Sequence, residues 1–176
     1  MKLNVKTDVD FGTNILDVTV PTQLRKKVKS GLSYVDAAFG GEGFTPSCVN
    51  LFTGTRGSGK TTMLLKLADS ITKNGGLVLF NTAEESLFQV KLVAERLNLK
   101  HGFHAGGETH MPTLLEKCDA LRSKRGNKNK PFFLIVDSLQ CMDDGKYVRK
   151  DGSTHINGGS ATRALGMMTN YCKEHF

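Results

Sequence analysis

Residues 54–61 read Gly54-Thr55-Arg56-Gly57-Ser58-Gly59-Lys60-Thr61, a complete GxxxxGK[ST] pattern. The apolar run Cys48-Val49-Asn50-Leu51-Phe52 precedes it, and Met63, Leu64, Leu67, Ala68 and Ile71 follow at helical spacing. A strand, a glycine loop and an amphipathic helix in that order restrict the chain to a few α/β arrangements. Glycines allow consecutive backbone N–H groups to curl around a phosphate, and the helix turns its positive end toward the same anion. The expectation is that Gly54, Thr55, Arg56, Gly57, Ser58, Gly59, Lys60, Thr61 and Thr62 bind the phosphates of ATP. Lys60 neutralises β and γ oxygens in the reaction, and Thr61 holds Mg²⁺.

The rest of the chain alternates in the same sense. Residues 59–73 form the first helix, ended by Gly75-Gly76; Leu77-Val78-Leu79-Phe80 is a strand; Leu87, Val90, Val93, Ala94 and Leu97 stripe a second helix. Gly102-Phe103-His104-Ala105 reads as a third strand, Met111, Leu114, Leu115, Cys118 and Leu121 as a third helix, and Phe132-Phe133-Leu134-Ile135-Val136 as a fourth strand. This order predicts an α/β fold with a mainly parallel sheet flanked by helices. Before it, residues 1–24 read as an extended arm or short edge strand interrupted by Pro21, and residues 33–39 as a short helix capped by Ser33. A last helix carries Ala161, Ala164, Leu165, Met168, Tyr171 and Cys172 on one face.

Two acidic features fit phosphoryl chemistry. Asp137 ends the apolar fourth strand, where a carboxylate holds the water shell of Mg²⁺ opposite a phosphate loop. Asn81-Thr82-Ala83-Glu84-Glu85-Ser86 brings two carboxylates to the C-terminal edge of the sheet, where open α/β sheets bind ligands. One of them, Glu84 with Glu85 as substitute, orients the attacking water; the alternative is that both only favour the start of the next helix. The glycine-containing stretch after Cys141 holds Lys146, Tyr147, Arg149 and Lys150, with Arg163 beyond it, and reads as a grip on single-stranded DNA. A solvated basic loop looks the same, and Asp143, Asp144 and Asp151 dilute its charge.

The formal net charge is +7 over 176 residues, which favours a polyanionic partner. No apolar run reaches the length of a membrane span and the N-terminus lacks a signal-peptide pattern, so a cytoplasmic, membrane-free location is expected. The four cysteines contain no CxxC pair and read as reduced thiols, and the five histidines show no metal-ligand spacing.

At these motifs the chain resembles the RecA superfamily of P-loop ATPases, and more closely the bacterial RadA (Sms) DNA-repair ATPases and their KaiC-like relatives. Lys29-Ser30-Gly31-Leu32, Asp36, Phe39-Gly40-Gly41-Glu42-Gly43 and Pro46-Ser47 resemble the segment before that family's phosphate loop. Ala83-Glu84-Glu85-Ser86, Gln89 and Ala94-Glu95-Arg96-Leu97 resemble its "GEES…Q…AERL" run, and Val136-Asp137-Ser138-Leu139-Gln140 its "DSIQ". Gly159-Ser160 with Arg163 match its "GS…QVR" in part. The resemblance covers about residues 27–176. It implies that Glu84 polarises water, that Asp137 is the Walker B acid, and that the loop after Gln140 faces single-stranded DNA in a homo-oligomeric ring or filament. The implied activity is DNA-dependent ATP hydrolysis in repair and recombination; a replicative helicase and a KaiC-like regulatory module share part of the motif set. Residues 1–24 hold no zinc-ribbon cysteines and no "KNRFG" occurs. The expected organisation is therefore an arm, 1–24, and an incomplete RecA-like core, 25–176. A strand belonging between the Walker B strand and the phosphate-loop strand is expected to be missing.

Overall fold

The structure, a computed structural model, describes residues 9–146, 156 and 158–175. Its helices are α1 (Thr22–Arg25), α2 (Ser33–Ala38), α3 (Lys60–Lys73), α4 (Leu87–Arg96), α5 (Met111–Ser123) and α6 (Gly158–Glu174). Its strands are β1 (Leu77–Thr82), β2 (His104–Gly106) and β3 (Phe132–Asp137). All three strands run parallel in the order β2-β1-β3. The register aligns Phe80 with Ala105 on one side and Thr82 with Asp137 on the other. Parallel strands need crossovers, and α4 and α5 supply them.

β1 is buried along its whole length, as expected of a central strand covered on both faces. Its side chains divide by the two-residue period of a strand. Val78 and Phe80 join Leu64, Leu65, Leu67, Ala68 and Ile71 of α3 and Val90 of α4 in one cluster. Leu77 and Leu79 join Met111, Leu114, Cys118 and Leu121 of α5, Met142, and Ala164 of α6 in the other. Helices thus cover both faces, and the C-terminal ends of β1 and β3 are held level. Val28 and Phe44 exchange backbone hydrogen bonds at 2.9 and 2.8 Å, which lays Phe44 onto the first cluster. Gly43 beside this bridge has φ +85°, and a Cβ there would lie 2.4 Å from the Val28 carbonyl oxygen, so glycine is required.

Four local expectations are corrected. Residues 48–52 are not a strand; no described strand lies beside them to complete a backbone ladder, and Leu51 is exposed. The cap of α2 is Leu32, not Ser33, and its side chain makes no cap hydrogen bond. The turn is instead set by Asp36, whose carboxylate accepts from Ser30 N–H at 2.8 Å and Gly31 N–H at 3.3 Å and so draws the chain back onto α2. Burial raises the Asp36 pKa, but these hydrogen bonds and Lys29 outweigh it, and the group is held below the usual carboxylate range. Of the two readings of residues 1–24, an extended arm or a short edge strand, the strand is not found in residues 9–24, where Asn14 caps a 3-10 turn at Ile15–Asp17 and α1 follows. The third strand starts at His104 rather than Gly102, because φ of +65° at Gly102 is a turn conformation.

Candidate nucleotide-binding site

The phosphate-loop sequence leads directly into α3. Gly59 occupies the N-cap with φ +84°, a left-handed conformation that glycine adopts without strain. Its lack of a side-chain cap leaves the first-turn N–H groups of α3 open. Among the described residues, the backbone N–H groups of Gly57, Gly59, Lys60 and Thr61 have no acceptor. Lys60 folds back over the loop, its Nζ donating to the carbonyls of Gly54 and Thr55, both at 2.9 Å. Ser58 N–H donates to Thr55 O at 3.2 Å and tightens the turn. Arg56 and Gly57 are exposed at its tip, while Thr62 is half-buried on the first turn of α3.

A contact across 76 residues completes the arrangement: Thr61 Oγ1 donates to Asp137 Oδ2 at 2.6 Å. β3 carries Asp137 there because its apolar run Phe132-Phe133-Leu134-Ile135-Val136 pairs along β1 until the sheet ends. Ala83 N–H donates to Asp137 O at 2.8 Å, so the chain leaving β1 passes beside the end of β3. Glu84 then accepts from Ser138 Oγ at 3.3 Å. The Asp137–Ser138 peptide is cis. Glu85 lies in a turn closed by Thr82, whose Oγ1 donates to Glu85 O at 2.7 Å and accepts from Glu85 N–H at 3.1 Å. α4 begins immediately beyond with a reciprocal cap between Ser86 and Gln89. Lys60, Thr61, Asp137 and Glu84 are therefore brought together by the loop and by the two paired strand ends. An oxygen-rich pair of hydroxyl and carboxylate suits a hard divalent cation completed by phosphate oxygens and water. Among the described residues no cluster of three or more His, Cys, Asp or Glu forms an all-protein metal site.

Two contributors were not singled out from sequence. Ser138 is one, tied to Glu84 as described. The other is Asn81, fully buried, whose Nδ2 donates to Glu108 O at 2.7 Å while its Oδ1 accepts from Glu108 N–H at 2.9 Å. That pair fastens the chain after β2 to the end of β1. Glu108 itself is held below the usual carboxylate range, chiefly by Lys117 Nζ at 2.6 Å and then by the His110 N–H. Both stand in stretches noted from sequence, but their partners lie 54 and 27 positions away, so neither pairing is legible there.

Of the residues read as a DNA grip, two lie among the described residues. Lys146 is exposed. Arg149 and Lys150 lie outside the described residues. Arg163, on the first turns of α6, forms a two-pronged ion pair with the carboxylate of Asp144, one prong through Nε and the second through Nη2 at 3.3 Å. Arg163 holds Asp144 below the usual carboxylate range, and the Asp144 side chain is almost wholly covered. Arg163 thus braces the start of α6 against the segment following β3.

No protein-family profile matches the chain. Three curated bacterial proteins named DNA repair protein RadA are similar to it. The Streptococcus pyogenes serotype M3 protein is 36% identical over 117 residues, 66% of this chain and 24% of that relative. The Mycolicibacterium smegmatis protein is 32% identical over 146 residues, 82% of this chain and 28% of the relative. The Listeria monocytogenes protein is 30% identical over 124 residues, 70% and 25% respectively. The chain thus spans about a quarter of the length of the relatives it matches. No described helix is long and apolar enough to cross a membrane. A parallel α/β sheet, a phosphate loop facing an acidic strand end, and this set of relatives together make the chain a RadA-like member of the RecA superfamily of P-loop ATPases.

Proposed function

We propose that the chain binds ATP with Mg²⁺, hydrolyses it, and couples the cycle to single-stranded DNA in repair and recombination. The observation that carries this reading is the 2.6 Å contact between Thr61 and Asp137, which sets the phosphate loop against the acidic strand end. The open N–H groups of Gly57, Gly59, Lys60 and Thr61 donate to phosphate oxygens, and the N-terminal end of α3 adds its positive field. Lys60 exchanges its two carbonyl acceptors for β and γ oxygens. Thr61 and Asp137 would hold the cation, which would supply charge neutralisation. Glu84, steadied by Ser138, accepts a hydrogen bond from the attacking water and aligns it with the γ-phosphate. Arg56 stands exposed at the loop tip, where it meets the solvent side of the bound nucleotide. The relatives' name, DNA repair protein RadA, supports the repair context, and the net charge of +7 supports a polyanionic partner. Lys146, Arg149 and Lys150 are the DNA contacts of this proposal; Arg163 acts by holding the base of their segment through Asp144.

Steady-state hydrolysis with and without single-stranded DNA, over a salt series, tests the reading. Turnover is expected to rise with DNA, to lose that rise at high salt, and to vanish in Lys60→Ala and Glu84→Gln. Turnover unchanged in Glu84→Gln would remove the water-orienting role, and turnover indifferent to DNA would remove the coupling.

A further inference from the structure

The two ends of the sheet differ in charge. Asp137, Glu84 and Glu85 stand at the C-terminal ends of β3 and β1, whereas cations gather at the N-terminal ends. Leu77 N–H donates to Pro131 O at 2.8 Å, so the connection from α5 to β3 lies beside the turn that joins α3 to β1. Lys124, Arg125, Lys128 and Lys130 stand on that connection and Lys73 on the last turn of α3. Lys100 precedes β2, and its segment is fastened to α3 by Asp69 Oδ1, which accepts from the N–H groups of Lys100, His101 and Gly102 at 3.1, 2.7 and 3.2 Å. All six cations are exposed, and among the described residues none of them is in an ion pair.

The basic connection is shaped rather than slack. Asn127 N–H donates to Lys124 O at 2.9 Å, Lys130 N–H to Asn127 O at 3.1 Å, and Asn127 Nδ2 to Leu121 O at 2.9 Å. Residues 124–130 are thereby tied to the end of α5 as consecutive turns, holding four cations and no acid within seven residues. Clustered like charges raise the local potential, and a preformed backbone lowers the ordering cost of binding. The carboxylates of this pole are already engaged. Asp69 accepts the three N–H groups named above, and Asp119 accepts from Tyr171 O–H at 2.7 Å and pairs with Arg122 at 3.5 Å. Glu174, exposed at the end of α6, has the exposed Lys173 beside it in sequence.

We infer that this pole holds the phosphate backbone of duplex DNA, with Lys73, Lys100, Lys124, Arg125, Lys128 and Lys130 as its contacts. It lies at the far end of the 14-residue α3 from the phosphate loop, about 20 Å away at 1.5 Å per residue. Exposed cations of this kind neutralise phosphates without reading base edges, so the contact is independent of sequence. A duplex is favoured over a single strand because single strands are held by bases stacked on aromatic rings. Residues 124–130 hold no such ring, Phe103 packs on Phe80 with centroids 5.9 Å apart, and Phe132 lies under the Arg122 guanidinium. The duplex instead offers a dense double row of phosphates, about one charge per 1.7 Å of its axis. This surface is separate from Lys146, Arg149 and Lys150, which follow the C-terminal end of β3.

The test is fluorescence anisotropy of a labelled duplex of about 20 base pairs and random sequence, titrated with the full chain over about 20–200 mM salt. The assay contains no nucleotide and reads the duplex, so its failure leaves the ATP reading and the single-strand contacts standing. The wild type is expected to bind with a slope of log affinity against log salt of about −5, the value for about six neutralised phosphates. Lys128→Gln/Lys130→Gln is expected to weaken duplex binding about 10-fold and to reduce that slope by about 2. Lys66→Gln/Lys91→Gln removes the same charge from exposed positions on α3 and α4 and is expected to bind within about 2-fold of wild type. All four positions are exposed, so circular dichroism is expected to be unchanged in both variants. A wild type that leaves the duplex free at the lowest salt, or two double variants weakened to the same extent, would overturn the inference. A Lys128→Gln/Lys130→Gln variant that loses affinity for a single strand while keeping its full affinity for the duplex would overturn it as well.

Discussion

Substituting Asn81→Asp changes one buried atom from a nitrogen donor to an oxygen. Asn81 is fully buried, and its hydrogen bonds with Glu108, 2.7 Å to O and 2.9 Å from N–H, admit only one orientation of the amide. An ionised carboxylate keeps the bond from Glu108 N–H but faces Glu108 O with a second acceptor. Losing that donor and burying a charge beside a carbonyl costs about 3 kcal/mol at neutral pH. A neutral carboxylic acid, by contrast, reproduces both bonds, so the cost belongs to the ionised form alone. At about 1.36 kcal/mol per pKa unit, the folded-state value of the new carboxyl is raised by about 2 units above its unfolded value of about 3.9. A group raised on folding contributes its full stability below the unfolded pKa and loses it as pH rises toward the folded one. The penalty relative to wild type should therefore be about 1 kcal/mol at pH 4.5 and about 3 kcal/mol at pH 7.5. Urea unfolding at both pH values, with unchanged slope m, measures it. A penalty equal at both pH values, or below about 0.5 kcal/mol at pH 7.5, would refute the claim that Asn81 acts as a donor to Glu108.

Asp36 and Glu108 are both depressed on folding, so their stabilisation is fully present above their ordinary values of 3.8 and 4.5 and is lost as pH falls through the lower folded values. In an acid titration of wild-type unfolding, Lys117→Met should flatten the part of the curve contributed by Glu108, whose largest stabilising partner it removes. The Cys118 thiol, pushed up to about 12 by burial and by Asp119, should resist iodoacetamide at pH 8 in the folded protein. Cys48, which is exposed, should be alkylated under the same conditions, as peptide mass spectrometry would show.

Periodicity made much of this fold readable. The apolar stripes of α3 and α5 follow the helical period closely because each packs one face on the sheet, whereas α4 packs through Val90, Val93 and the adjoining Leu97 and leaves Leu87 exposed; Phe132-Phe133-Leu134-Ile135-Val136 announces a strand. Residues 48–52 carry an equally apolar run, yet a strand is a property of two segments, and no described strand lies beside them. The helix cap at Leu32 was hidden for a similar reason: Asp36, six residues after Ser30, sets the turn, not the serine nearest the helix start. In the candidate site, Lys60, Thr61, Asp137 and Glu84 were visible as residue types at the ends of apolar segments. Their being neighbours was not, since it depends on the β1–β3 register and the 76-residue contact. Arg163 shows the opposite case. Its charge suggested DNA, while the ion pair with Asp144, 19 positions away, gives it an internal partner.

Calorimetric titration of ATP into the full chain, with Mg²⁺ and with a chelator, tests the nucleotide site most directly. Saturable binding that Mg²⁺ strengthens is expected. Lys60→Ala should weaken it about 10- to 100-fold through loss of a charge-assisted contact to phosphate, and Thr61→Ala should remove the Mg²⁺-dependent gain while leaving the chelator value near wild type. Absence of saturable heat in the folded wild type, or a Thr61→Ala variant that keeps the full Mg²⁺ gain, would contradict it.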